Sequence, residues 1–572
     1  MQAIPKSWAR RLEQHEDRVF LVLTLAIGAV VGLVVVAFIV LTGNLGARMY
    51  PPGGSPWRRL LVPVAGSLAT GYLLSRYFPY ARGSGIPQTK AALFAREGYI
   101  RGRTVLGKFF CCSTSLASGI ALGREGPAVQ VGAGIASVLG RSIGLGPERV
   151  KALIPIGASA AVAAAFNTPI AGVLFALEEI MGDMNAPVLG SVVLSSATAW
   201  VVLHLLLGDE PLFHVPAYEL VHGVEFGVYA VLGVLGGLVS VGFVKLLLGL
   251  RAWFLRWPRQ TGWFQPVAGG LLVGIMGWFV PQSLGIGYQY VGDALNGNMA
   301  LKAMALLLAL RVVGTAVCYA SGNAGGIFGP ALFIGAMLGG TLGNIAHQAF
   351  PNAIASAGAY ALVGMGTAFA GIVRVPMTSV IMIFEVTRDY TIIVPLMISN
   401  LISFFISRRL QPEPIYEALS RQDGIHLPGS GANAPRTLRV MGAMPSDTRT
   451  IEPEATIQEA LDRIRSLPVN AWPVARSQQL LGLVTASNLE SAAEDGAGYR
   501  PVSEILEPIS KDHLDAGDFP HVHPDHPLDV ALRRMGEMHL DVLPVVSRAN
   551  VLEIVGVITL PDIMRAYGIR AS

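Results

Sequence analysis

The first 420 residues are a succession of apolar segments, and several are too short to cross a bilayer. They fall near 19–41, 60–78, 104–122, 126–143, 151–166, 168–181, 186–207, 224–250, 264–282, 301–321, 328–348, 358–372, 375–387 and 391–407. One straight helix needs about 20 residues to cross about 30 Å of hydrocarbon. Segments 168–181, 358–372 and 375–387 fall short, and Gly and Pro interrupt many others. A soluble domain carries about 25% charged residues; here 14% are charged and 52% hydrophobic. Irregular backbone at membrane depth persists only where protein buries it or water reaches it. The pattern predicts an all-α polytopic membrane domain with helices that stop midway, which is how a transporter or channel is built.

Charge divides the chain. From Arg421 to Ser572 there are 14 basic and 20 acidic residues, a net of −6; the whole chain is +4, so residues 1–420 carry +10. The expected order is a cytoplasmic N-terminal segment (1–18), a membrane transport domain (19–420), a linker (421–438) and two small modules (439–500 and 501–572). Lys6, Arg10 and Arg11 precede the first span and place the N-terminus in the cytoplasm. That span is too long for a signal sequence. Cys111, Cys112 and Cys318 lie in apolar runs without metal or disulfide spacing and read as core residues.

The membrane part repeats itself. At a shift of 203, Gly126, Pro127, Ala128, Gly132 and Gly140 fall on Gly329, Pro330, Ala331, Gly335 and Gly343. At 207, Gly157, Pro169 and Glu178 fall on Gly364, Pro376 and Glu385. Two halves with discontinuous helices meeting at the midplane is a transporter plan. Glu178 and its counterpart Glu385 suggest a shared structural role. Glu179 falls on Val386, so this second carboxylate exists in one half only. It is either a candidate for chemistry or a helix-end glutamate at the cytoplasmic surface. The C-terminal part repeats too: Pro473-Val474 matches Pro544-Val545 at 71, and Thr485 matches Thr559 at 74. Each copy reads as strand, amphipathic helix, two strands and helix, an α+β module.

Four stretches converge on one chemistry. In Gly123-Arg124-Glu125-Gly126-Pro127 the glycines permit a tight turn and Pro127 suits a helix's first turn. Free N–H groups and the dipole at that helix end attract an anion, and Glu125 would compete for the place. A purely capping role is the alternative. Gly83-Ser84-Gly85-Ile86-Pro87 offers a hydroxyl donor from Ser84. Gly325-Gly326-Ile327-Phe328-Gly329-Pro330 can aim the amides of Ile327 and Phe328 at a ligand. Pro414-Ile415-Tyr416 adds a phenol. Neutral donors hold an anion loosely enough for it to leave, so no Lys or Arg is needed at the centre.

Together these stretches resemble those of the CLC family of chloride channels and chloride/proton antiporters, over roughly residues 18–420. The resemblance implies an inverted internal repeat and a homodimer with one anion pathway per subunit. It implies chloride bound by Ser84, Tyr416 and the amides of Ile327 and Phe328. It makes Glu125 the outer gate and proton carrier and Glu179 the inner proton acceptor, the antiporter pattern. Gln88 stands where the family commonly has Glu, and Gly329 where Ala is more usual. Ser84 and Pro127 argue against the fluoride branch, and serine at 84 favours chloride over nitrate.

The modules resemble tandem CBS domains, in which the Thr and Asp hold an adenine nucleotide. Thr559 and Asp562 fit; Thr485 fits, but Asn488 replaces Asp. Whether a nucleotide binds stays open, and no other cofactor is expected. His521, His523 and His526 alternate among prolines, as suits a strand rather than a metal site. The expectation is a chloride/proton antiporter, not an enzyme, in the inner (plasma) membrane. Its tail is cytoplasmic, and its partners are chloride, protons, lipid and a second copy, with no nucleic acid. The competing readings are a passive chloride channel of the same fold and a nucleotide-sensing regulator with a membrane anchor.

Overall fold

The computed structural model describes residues 16–567, except 52, 185–187, 210, 214, 217–221, 389, 426–437, 446–449, 468, 507–518 and 549. Most of the expected N-terminal segment and of the linker therefore lies outside the described residues. The chain divides into two compact units, Met1–Ala432 and Asn433–Ser572.

The first unit is helical throughout. Seven of its described helices are long and apolar enough to cross a membrane, among them Glu225–Leu255 and Phe328–Ala349. Others, such as Ala357–Val373 and Pro376–Thr387, are apolar but shorter. Proline opens several helices, including Pro147–Phe166, Pro169–Phe175 and Pro376–Thr387, at a position where its missing N–H leaves nothing unpaired.

The repeat is physical. Gly123 and Gly326 form an antiparallel bridge: Gly123 N–H donates to Gly326 O at 2.8 Å and Gly326 N–H to Gly123 O at 2.7 Å. Equivalent residues that exchange bonds in this way require a two-fold relation between the halves. In each half two helices cross at glycine contacts. A Cβ on Gly132 would strike the Gly157 carbonyl, and one on Gly335 that of Gly364. Small residues are what allow membrane helices to approach this closely. The inner helix of each pair, Pro147–Phe166 and Ala357–Val373, is buried nearly all round, as befits a helix apolar on every face. Each ends on a left-handed residue, Asn167 (φ 61°) and its counterpart Arg374 (φ 72°). Arg374 is held there by bonds to the carbonyls of Pro412, Ser407 and Gln411.

The second unit repeats as well. Ala471–Arg476 pairs antiparallel with Gln479–Thr485, and Val542–Val546 with Ile554–Thr559. The register slips at Val474/Ala475 and at the equivalent Val545/Val546. Where each module's leading strand was expected, the described residues form only a one-residue parallel bridge, Ile451 to Val474 and Val522 to Val545. In the first module Ile457, Ala460, Leu461 and Ile464 form the buried stripe of Ile457–Arg465, spaced as one helix face requires. Thr456 and Glu459 close a capping box at its start.

Candidate functional site

The Gly123–Gly326 bridge brings together the starts of two helices, Glu125–Ser142 and Phe328–Ala349. The Ser84 loop packs against the first: a Cβ on Gly126 would lie 2.6 Å from Ser84 O. Gly85 takes φ 102°, open to glycine alone, and Ile86–Ala95 follows. Gln88, where the family commonly has Glu, accepts the Gly85 N–H at 2.9 Å, so the amide closes the turn as a carboxylate would. The Ser84 and Tyr416 hydroxyls are buried and unpaired within ordinary hydrogen-bond limits, with Tyr319 a neighbour of both. Ile327 and Phe328 are fully buried, and their amides find no acceptor among the described residues. Phe166, Phe175 and Phe369 pack around the Phe328 ring, with centroids 4.7, 5.4 and 4.3 Å away. Buried donors without acceptors are costly, and an anion is the ligand that would satisfy them.

A cation does lie near the centre, though nothing in the sequence reading required one. Lys108 is fully buried, and its Nζ donates to Gly83 O at 2.8 Å. It adds positive potential beneath the Ser84 loop while tying that loop in place.

Glu125 is 1% exposed. As the first residue of its own helix it cannot cap that helix from the preceding position. Its carboxylate reaches across the repeat instead: Oε2 accepts the Gly329 N–H at 3.3 Å, and Oε1 accepts a short bond from the Tyr288 hydroxyl. The glutamate thus occupies the start of Phe328–Ala349, beside the amides of Ile327 and Phe328.

Glu178 and Glu179 lie in a π-helical turn, Ala176–Met181, that continues Pro169–Phe175. The counterpart, Pro376–Thr387, stays α-helical to its end. π turns re-aim side chains and concentrate at functional positions. Here Glu178 reaches outward to the Thr378 N–H at 2.8 Å, whereas Glu179 turns inward and is 6% exposed. Glu179 is therefore no surface helix end. Lys90 Nζ donates to it at 2.9 Å and also lies 3.7 Å from Glu417. Tyr416 interacts electrostatically with both Glu179 and Glu125.

Two cavities flank the centre. One, about 570 Å³, reaches Arg124 and Tyr288 and is lined by Arg58 and Arg59. The other, about 470 Å³, reaches Gly83 and Gln88 and is lined by Arg82, Arg96, Arg101 and Arg251. Arginine-lined clefts raise the local anion concentration.

In the second unit, Thr559 Oγ1 donates to Asp562 Oδ2 at 2.6 Å and accepts the Asp562 N–H at 3.3 Å. Thr485 Oγ1 accepts the Asn488 N–H at 3.3 Å, without a second bond to the Asn488 side chain. His521 Nδ1 bonds Phe519 O and His523 Nδ1 bonds Val546 O, both at 2.9 Å, and His526 accepts the His523 N–H. One nitrogen of each ring is thus engaged with the backbone.

The sequence reading missed Lys90, Lys108, Tyr288, Tyr319 and Glu417. The rule that singled out Glu125, that a charge in an apolar membrane stretch is functional by default, would have found Lys108, which lies within 104–122; Lys90 falls between the apolar segments.

A family profile described as voltage gated chloride channel matches residues 65–408, and CBS-domain profiles match 440–495 and 511–569. A putative chloride channel protein ClcB-like of Ralstonia nicotianae is 32% identical over 379 residues, 65% of this chain and 88% of that one. The H(+)/Cl(−) exchange transporter ClcA of Vibrio campbellii is 32% identical over 364 residues, 62% of this chain and 78% of that one. The crystal structure of a slow cyanobacterial Cl−/H+ antiporter superposes with a TM-score of 0.66 at 26% identity, covering 71% of this chain and 97% of that one. A eukaryotic CLC transporter shares the fold over 95% of this chain, with a TM-score of 0.62 at 19% identity.

Proposed function

The chain belongs to the voltage-gated chloride channel family and carries a pair of CBS domains, and on that premise we propose that it is a secondary active chloride/proton antiporter. The observation that carries this reading is the placement of Glu125, whose carboxylate sits on the Gly329 amide beside the unpaired amides of Ile327 and Phe328. Chloride and carboxylate compete for one positive helix end. Protonation removes the glutamate's charge, weakens its hold and frees the place for chloride. A proton therefore leaves or enters as chloride moves, and Glu125 is the outer gate and proton carrier. Glu179 is the inner proton acceptor; as a second buried carboxylate present in one half only, it favours antiport over a passive channel. Ser84, Tyr416 and the amides of Ile327 and Phe328 hold the central chloride.

The protein acts in this reading as a homodimer in the inner (plasma) membrane, with its N-terminus and CBS tail in the cytoplasm. Exposed apolar side chains such as Leu205, Phe279 and Phe405 are those that lipid or a second copy would cover. An adenine nucleotide at Thr559 and Asp562 is the proposed regulator.

Liposomes containing the protein, with chloride flux and pH recorded together, test the proposal. A chloride gradient should drive protons uphill. A reversal potential indifferent to the pH gradient would select the passive channel instead.

A further inference from the structure

Lys90 stands between two carboxylates, with Nζ 2.9 Å from Glu179 and 3.7 Å from Glu417. The side chains of all three are at most 10% exposed. Their placement follows from the anion site. Lys90 lies on Ile86–Ala95, the helix that the Ser84 loop opens; Glu417 follows Tyr416 on Ile415–Gln422. The two elements that deliver the chloride hydroxyls therefore also deliver a cation and a second acid to Glu179.

We propose that Lys90, Glu179 and Glu417 form a one-proton store, in which Glu417 is a second proton-carrying residue on the cytoplasmic route to Glu179. This rests on the antiport reading above. With both acids ionised the triad is −1, and buried unpaired charge is expensive. One proton brings it to zero: a lysinium, one carboxylate and one carboxylic acid. With the proton on Glu417, Lys90 pairs with Glu179, as observed. When the O–H bond breaks at Glu417 and forms at Glu179, Lys90 shifts its pairing to Glu417 and the net charge stays zero. The other groups facing the triad are few. Glu178 adjoins Glu179 but is bound to Thr378, and Tyr416 faces Glu179. Arg374 and Glu413 face Glu417.

Removing Glu417 leaves a neutral Lys90–Glu179 pair that has no electrostatic need for a proton. The test is Glu417→Gln in the full chain, in liposomes, with both ions recorded across pH. Proton transport at neutral pH should fall at least tenfold, chloride flux should persist, and acidic pH should restore part of the coupling. Glu417→Asp should retain coupling. Lys90→Met leaves two acids that keep a proton to higher pH, so its proton-transport profile should move alkaline. Unchanged coupling in Glu417→Gln, while Glu179→Gln uncouples, overturns the store and leaves the antiport reading intact. A wild-type chain that moves no protons would instead defeat the antiport reading itself. Loss of chloride flux in both Glu417→Gln and Glu417→Asp would make the residue structural and also overturn the proposal.

Discussion

Glu178 and Glu385 cap each other's half of the membrane unit. Glu178 accepts the N–H groups of Met377 and Thr378 at 3.2 and 2.8 Å, and Glu385 those of Ile170 and Ala171 at 2.9 and 2.7 Å. Each carboxylate sits on the exposed N-terminus of a short helix from the other repeat, where free amides and the dipole favour negative charge. This is the shared structural role that their equivalent positions in the sequence suggested.

Losing either cap strands two amides. Glu385→Ala and Glu178→Ala should each cost about 1–2 kcal/mol, read as a lower thermal midpoint in detergent, with chloride/proton stoichiometry unchanged at permissive temperature. A change of stoichiometry without loss of stability would reject the structural assignment.

The Tyr288 hydroxyl donates to Glu125, and if Glu125 is the gate proposed above, that bond latches it. Tyr288→Phe removes that donor, so chloride turnover should rise several-fold while coupling persists. Gly329 makes room for the latch: a Cβ there would lie 2.9 Å from both Glu125 Oε2 and Tyr288 Oη. Gly329→Ala should act in the same direction, whereas slower transport in both variants would contradict the latch.

The central hydroxyls should be worth measurable affinity. A hydrogen bond to a charged partner contributes about 1.5–3 kcal/mol, so Ser84→Ala and Tyr416→Phe should each weaken chloride binding roughly tenfold or more, measured by calorimetry. Glu125→Gln should abolish proton movement but leave chloride flux. Full affinity in both hydroxyl variants would remove them from the site.

The CBS unit should weaken in acid. Burial holds His521 and His526 below the ordinary 6.5. The unfolded chain therefore takes up protons first as pH falls through 6.5, and stability drops until the folded histidines also titrate. Asp525, held down to about 2 by Arg548, adds a second loss below its ordinary 3.8. Hydrogen exchange in the full chain between pH 7 and 5 should show faster opening of Val542–Val546 at the lower pH. His521→Asn with His526→Gln should flatten the trend; an unaltered slope would locate the sensitivity elsewhere.

The sequence by itself determined the class of membrane fold, its two related halves, the paired modules and the four stretches expected to meet at one anion site. These are matters of apolar length, Gly–Pro spacing and repeat, which local backbone chemistry reads directly. Only tertiary structure decided where Glu125 binds, because the amide its carboxylate accepts from is 204 positions away. It also decided that Glu179 faces inward through a π turn, and that Lys90 and Glu417 meet it there. Such pairings join segments remote in sequence, and charges in a low-dielectric interior find one another by packing, which spacing along one chain does not encode.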